Sequence, residues 1–339
     1  MRAAVLRDVR QIVLEERPVP VPGPHEVLVR IRSVGVCGSD THYYEHGRIG
    51  DFVVTAPLVL GHEASGEVVA VGADATRGLL GKRVSLEPGV PDLTCEQCRA
   101  GRYNLCPNVR FFATPPVDGA FCEYVTILEG FAYPVPDSID DDAAALLEPL
   151  SVGIWACRKG EVSAGSRVLV TGAGPIGLLA ALMGVQRGLE VHVYDHNKVG
   201  PKPELTRDLG CTYHSDAASL THTSPDILME CTGVPAVIRD CLGATGPAGI
   251  VCLTGVTEPK KMFDLDVGAI NRTMVLDNDC VFGTVNANRR HYEMAAQALA
   301  RADKSWLARL ITRRVPLDRW SEALEHRKGD IKVIVDFTQ

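Results

Sequence analysis

The stretch Val168-Leu169-Val170-Thr171-Gly172-Ala173-Gly174-Pro175-Ile176-Gly177 restricts this chain to few folds. Its apolar beginning, rich in Val and Leu, reads as a buried parallel strand. The run breaks at a Gly-x-Gly-x-x-Gly turn and passes into the helical segment 178–185. Gly172 permits the tight turn, Gly174 lets backbone approach a pyrophosphate, and Gly177 allows close helix–strand packing, with Pro175 and Ile176 opening the helix. The free N–H groups and positive dipole end of that helix favour phosphate. A second strand, 191–194, ends at Asp195, where a carboxylate would accept from a ribose 2′-hydroxyl. The same glycines would also suit a plain turn in another α/β unit. Strand, helix and acid together point to a dinucleotide site.

The flanking sequence has a different texture. Before about residue 155, short β-like runs (27–31, 66–71) alternate with Gly- and Pro-rich turns such as 18–24, which predicts an antiparallel, partly open β-barrel. From 156 to 285 the pattern is βαβ, with further strands at 227–230 and 250–253. Each runs into a glycine turn, Cys231-Thr232-Gly233 and Thr254-Gly255-Val256. Ligands of doubly wound sheets lie at these carboxyl ends, so Thr232, Gly255 and Val256 should border the cofactor. Residues 286–339 contain a helix at 290–302 and a terminal strand at 331–337 that is expected to return to the first domain. The fold class is therefore α/β, a barrel domain (1–155) beside a doubly wound one (156–285). A chain of 339 residues has room for two cores.

A formal charge of −7 argues against general nucleic-acid binding. The apolar stretch 175–185 is too short to span a bilayer, and residues 1–8 lack a signal-peptide core. The eleven cysteines form no secreted disulfide framework. A cytoplasmic location follows, with Cys157, Cys211, Cys231, Cys241, Cys252 and Cys280 expected as buried thiols.

Three separated stretches hold metal-ligand chemistry: Gly35-Val36-Cys37-Gly38-Ser39-Asp40, Gly61-His62-Glu63 and Leu147-Glu148-Pro149-Leu150. Thiolate, imidazole and carboxylate are the ligands of a catalytic zinc that keeps one position open. Singly, each also suits a buried thiol, a loop histidine and a helix-face acid. A second cluster is Cys95-x2-Cys98-x7-Cys106, a specific metal-binding spacing.

These motifs resemble the zinc-dependent medium-chain dehydrogenases over almost the whole chain, which implies a GroES-like barrel domain followed by a Rossmann domain. Residues 37–44, 47–50, 61–66, 112–116 and 148–153 closely resemble sorbitol (polyol) dehydrogenases. The likeness implies that Cys37, His62 and Glu63 bind the catalytic zinc, with Glu148 binding directly or through water. It makes Ser39 the first hydroxyl of a proton relay and His42 a later member. Asp40 stands behind the ligands, and Tyr43 faces the substrate. In the wider family four cysteines spaced x2, x2, x7 hold a structural zinc. The first of those positions is Asp92 here, an acceptable ligand, so Asp92, Cys95, Cys98 and Cys106 either close a site or form a degenerate lobe.

The carboxyl half departs from polyol dehydrogenases, which carry an Arg-Tyr pair after the last Rossmann strand. Here 281–288 reads Val-Phe-Gly-Thr-Val-Asn-Ala-Asn. With 271–276 and Pro201-Lys202-Pro203-Glu204-Leu205, that segment resembles the glucose 1-dehydrogenase branch. The likeness places Asn286 on a substrate hydroxyl or the cofactor, Thr284 beside the cofactor, and Glu123 on another sugar hydroxyl. The expected activity is hydride transfer from a secondary hydroxyl of a polyol, sugar or cyclitol to NAD. Lys198 and Lys202 leave NADP open, because they could neutralise its 2′-phosphate. Alternatives are a glucose (aldose) 1-dehydrogenase and a non-catalytic nucleotide-binding sensor. A homo-oligomer, dimer or tetramer, is expected.

Overall fold

The computed structural model describes residues 1–158, 165–220, 223–257, 262 and 264–338, and for 155–158 the backbone alone. The chain forms two compact units: Met1–Glu148 with Asn286–Arg301 and Ile311–Gln339, and Pro149–Val285 with Ala302–Leu310.

In the first unit the strand Glu26–Gly35 is central. It pairs antiparallel with Glu63–Val71, Tyr124–Leu128 and the terminal strand Lys332–Asp336. Val27, Val29 and Ile31 point inward at alternate positions and meet Val68, Leu86, Ile127 and Val335 in the core. Arg30 and Arg32, on the opposite face, share the Glu67 carboxylate at 2.8 Å each. Lys332–Asp336 in turn pairs parallel with Ile311–Pro316, so the last residues of the chain complete the sheet of the first.

The second unit is a six-stranded parallel sheet in the order Thr212–His214, Glu190–Tyr194, Arg167–Thr171, Ile227–Glu230, Ile250–Leu253, Cys280–Gly283. Strand order reverses beside Arg167–Thr171, which makes its carboxyl end the switch point where ligands bind. The helix Pro175–Gln186 is buried from Gly177 through Gly184. It is apolar all round, as a helix enclosed in a core must be.

The thiols divide more sharply than composition implies. Cys211, Cys241 and Cys252 are buried as expected, but Cys231 is half-buried and Cys280 is exposed. Cys280 opens the edge strand of the sheet, which has no paired strand on that side among the described residues. The Cys157 side chain lies outside the described residues.

Candidate metal centre and dinucleotide site

Local chain geometry assembles the first group. Cys37 caps the helix Gly38–His46 directly after the strand Glu26–Gly35. His62 precedes the neighbouring strand, in which Glu63 lies opposite Gly35. A Cβ on residue 35 would come within 2.0 Å of a Glu63 carboxylate oxygen, so glycine there makes room for the acid. One ligand atom each from Cys37, His62 and Glu63 lies within 4.8 Å of the others.

Asp40 ties the two ligand loops together. Fully buried, its carboxylate accepts the Cys37 N–H and the Gly61 N–H, both at 2.9 Å, and lies 3.8 Å from His62 Nδ1. Burial pushes the Asp40 carboxyl up. Burial would lower the His62 imidazole, yet the negative charge of Asp40 and Cys37 holds it well above its ordinary value. Glu148 falls outside the 4.8 Å group but within its field. Burial drives its carboxyl up to about 7, His62 and Lys332 pull it down, and Glu63 and Asp40 raise it.

Sequence reasoning missed Lys332. It is 2% exposed, its Nζ pairs with Glu63 and it donates to the Val36 carbonyl at 3.0 Å. The available signal was one lysine inside the apolar run Ile331-Lys332-Val333-Ile334-Val335. Lys332 and His62 thus face a thiol and three carboxyls. That donor set, buried and rich in negative charge, fits a zinc ion.

Asp92, Cys95, Cys98 and Cys106 also converge, each with a ligand atom within 4.8 Å of the rest. Cys95 Sγ and Cys98 Sγ are 3.4 Å apart, and no bond joins them. Backbone N–H groups of Cys98, Asp92 and Asn108 point at the sulfurs of Cys95 and Cys106. The Asn108 side chain, with N–H groups of Thr94 and Cys95, holds the Asp92 carboxyl well below its usual range. Desolvation and the neighbouring thiols push Cys98 up to about 12. Three sulfurs and a carboxylate at this spacing suit a closed tetrahedral zinc.

In the second unit Gly172 has φ +93°, and a Cβ on Gly177 would lie 1.8 Å from the Gly172 carbonyl oxygen. Space beside Gly174 is open, and Pro175 takes the first helical position. Glu230, fully buried, accepts the N–H groups of Thr232 and Gly233 and so shapes the next turn. Thr284 is 9% exposed, and its buried hydroxyl oxygen has no partner among the described residues. An open glycine turn and an orphaned hydroxyl both fit a dinucleotide. Asp195 stands at the end of the second strand, but its carboxylate is enclosed by its own chain.

Other expected residues are scattered. Ser39 is half-buried and His42 exposed, three positions apart on the helix Gly38–His46 and hence on one side of it. Tyr43 turns into the barrel core, 3% exposed, with its hydroxyl bonded to Thr114. Asn286 lines a small cavity with Glu148, Glu87, Asn104, Val109 and Phe111, and its carbonyl accepts from Asn104 at 3.1 Å. Glu123 is held by the amino-terminal strand. Arg2 takes both of its oxygens, through its N–H at 2.7 Å and its Nε at 2.9 Å, so this acid anchors the amino terminus.

Two family models match the chain, "Alcohol dehydrogenase GroES-like domain" over residues 23–137 and "Glucose dehydrogenase C-terminus" over 141–337. The chain belongs to the zinc-containing medium-chain dehydrogenases, enzymes dependent on NAD(P). Sorbitol dehydrogenase of Gallus gallus is 40% identical over 338 residues, covering 96% of this chain and 93% of that enzyme. Sorbitol dehydrogenase of Bacillus subtilis is 35% identical over 340 residues, again covering 96% and 93%. Haloferax mediterranei glucose dehydrogenase, solved with NADP, Zn and gluconolactone, superimposes with a TM-score of 0.88 at 27% identity, covering both chains fully.

Proposed function

We propose that this enzyme oxidises a secondary hydroxyl of a ring-shaped polyhydroxy compound, a sugar or cyclitol, in preference to an open-chain polyol. The observation that carries this reading is the mixed character of the first unit. Its Cys37, His62 and Glu63 group is of polyol-dehydrogenase type, whereas Asn286 and Glu148 share a small cavity and lie in a segment matched by the glucose dehydrogenase model. Gly283 and Thr284 stand where polyol dehydrogenases carry a bulky Arg-Tyr pair.

Cys37, His62 and Glu63 would hold the zinc, with Glu148 beside them. Zinc bound there supplies Lewis acidity to the substrate hydroxyl, and the nicotinamide supplies the hydride acceptor. Asp40 keeps the Cys37 and Gly61 loops in register, so that sulfur and imidazole stay oriented. Ser39 Oγ takes up the hydroxyl proton, and the exposed His42 ring passes it to solvent. Gly172, Gly174 and Gly177 admit the pyrophosphate at the helix Pro175–Gln186, and the Thr284 hydroxyl offers a bond to the cofactor.

A glucose 1-dehydrogenase is the second reading, favoured by the family model over 141–337. Steady-state kinetics on sorbitol, xylitol, glucose, galactose and inositols separates them. A ring substrate should exceed sorbitol in kcat/KM by roughly ten- to a hundredfold, the value of one charge-assisted hydrogen bond. Sorbitol as the best substrate would overturn the proposal. Glucose or galactose alone being oxidised would establish the second reading. The enzyme is further proposed to work as a homo-oligomer in the cytoplasm. No helix among the described residues is long and apolar enough to cross a membrane.

A further inference from the structure

Asp195 is 6% exposed, and its acceptor capacity is fully used. Oδ2 accepts the Ala173 N–H at 2.9 Å and the Lys202 ammonium at 3.0 Å. Oδ1 accepts the Asn197 N–H at 3.0 Å and Asn197 Nδ2 at 2.6 Å. A carboxylate offers about four acceptor positions, and all four are occupied by this chain itself. The Ala173 bond fastens Asp195 to the glycine turn, and Tyr213 closes the other side by donating to the Asp195 and Asn197 carbonyls. Lys202 lies in the first turn of the helix Pro201–Asp208. A cation is disfavoured at that positive end, and the pairing with Asp195 offsets the penalty. Lys202 therefore directs its charge at the acid and not at a 2′-phosphate. The exposed His196 also brings Nδ1 to 3.6 Å from Asp195 Oδ1, and Lys198 is exposed at the rim.

We propose that Lys202 is a specificity-determining residue: by pairing with Asp195 it cancels the charge that would repel a 2′-phosphate, so the second unit accepts NADP about as well as NAD. An acid at the end of the second strand excludes NADP only while its charge is unscreened and its oxygens can receive a ribose diol. Here both conditions fail: Lys202 offsets the charge, while Ala173, Asn197 and Lys202 between them fill the acceptor positions. The inference rests on the NAD(P)-dependent reading of the glycine turn.

The test is direct binding of NADH and NADPH to the full-length protein, followed by nicotinamide fluorescence and calorimetry without substrate. The native chain should bind the two with dissociation constants within tenfold of each other. In Lys202→Met the bared carboxylate should weaken NADPH at least tenfold relative to NADH, while NADH binds as well or better. Lys202→Arg, which keeps the charge, should preserve the native ratio. A native preference for NADH beyond tenfold, or an unchanged ratio in Lys202→Met, would overturn the proposal. Equal weakening of both ligands in Lys202→Met would also overturn it, by showing that Lys202 merely holds the turn together. Binding of neither dinucleotide to the native chain would instead refute the glycine-turn reading, and this inference with it.

Discussion

Lys332 shows how a single residue can be intelligible only through its surroundings. A lysine with 2% exposure is costly unless paired, and its partner is Glu63, itself a candidate zinc ligand. In the metal-free protein Lys332 is a counter-charge; a bound cation would share that task. Lys332→Met should therefore destabilise the chelated protein by about 3–5 kcal/mol, the usual effect of leaving a buried charge unpaired. Zinc-loaded protein should lose much less. Denaturant titration of both forms checks this, and equal losses would show that Lys332 acts independently of the metal group. The partners of Lys332 and Glu123 were both illegible in the sequence for one reason. These partners lie far away along the chain, Glu63 for the lysine and Arg2 for the acid, and no local pattern joins them. Cys37, His62 and Glu63 were legible as ligand types, but only the pairing of Glu26–Gly35 with Glu63–Val71 brings them to one place.

At the scale of elements the parallel sheet was the most readable part. Ile250–Leu253 is apolar throughout and Ile227–Glu230 is apolar up to its last residue, because a strand buried on both faces is built from apolar side chains. What the pattern conceals is the use of polar groups at the strand ends. Asp195 is recognisable by position, whereas its enclosure depends on the turn to Asn197 and the helix Pro201–Asp208. That enclosure has a pH signature. Burial raises its carboxyl, but hydrogen bonds from Asn197, Ala173 and Lys202 outweigh it and hold the group at about 2. A folded-state value below the unfolded one near 4 stabilises the fold in full above about pH 4, and the gain is lost as pH falls toward 2. The gain is about 2 kcal/mol. Asp195→Asn should be less stable than the native chain by about that amount at pH 6, with the gap closing near pH 2.5. Denaturant melts at the two values measure it, and a gap independent of pH would assign the loss to packing.

On the scale of the whole molecule, Cys280–Gly283 ends the six-stranded sheet as an open edge. The helix before it, Val267–Asp277, has no buried residue, and Val275 and Leu276 are 66% and 63% exposed. An open strand edge beside exposed apolar side chains is a ready surface for a second copy. Light scattering should accordingly give a dimer or tetramer, and Leu276→Glu should lower the mass; a native monomer would contradict the proposed assembly. The account as a whole depends on zinc at two places with different tasks, one in catalysis and one in the Asp92–Cys106 lobe. Elemental analysis paired with NAD(P) reduction tests this most directly. Native protein should carry two zinc ions per chain, Cys37→Ala one ion and no turnover in a folded chain, and Cys98→Ala one ion with turnover retained. Active native protein without zinc, or Cys37→Ala that keeps both ions, would contradict it.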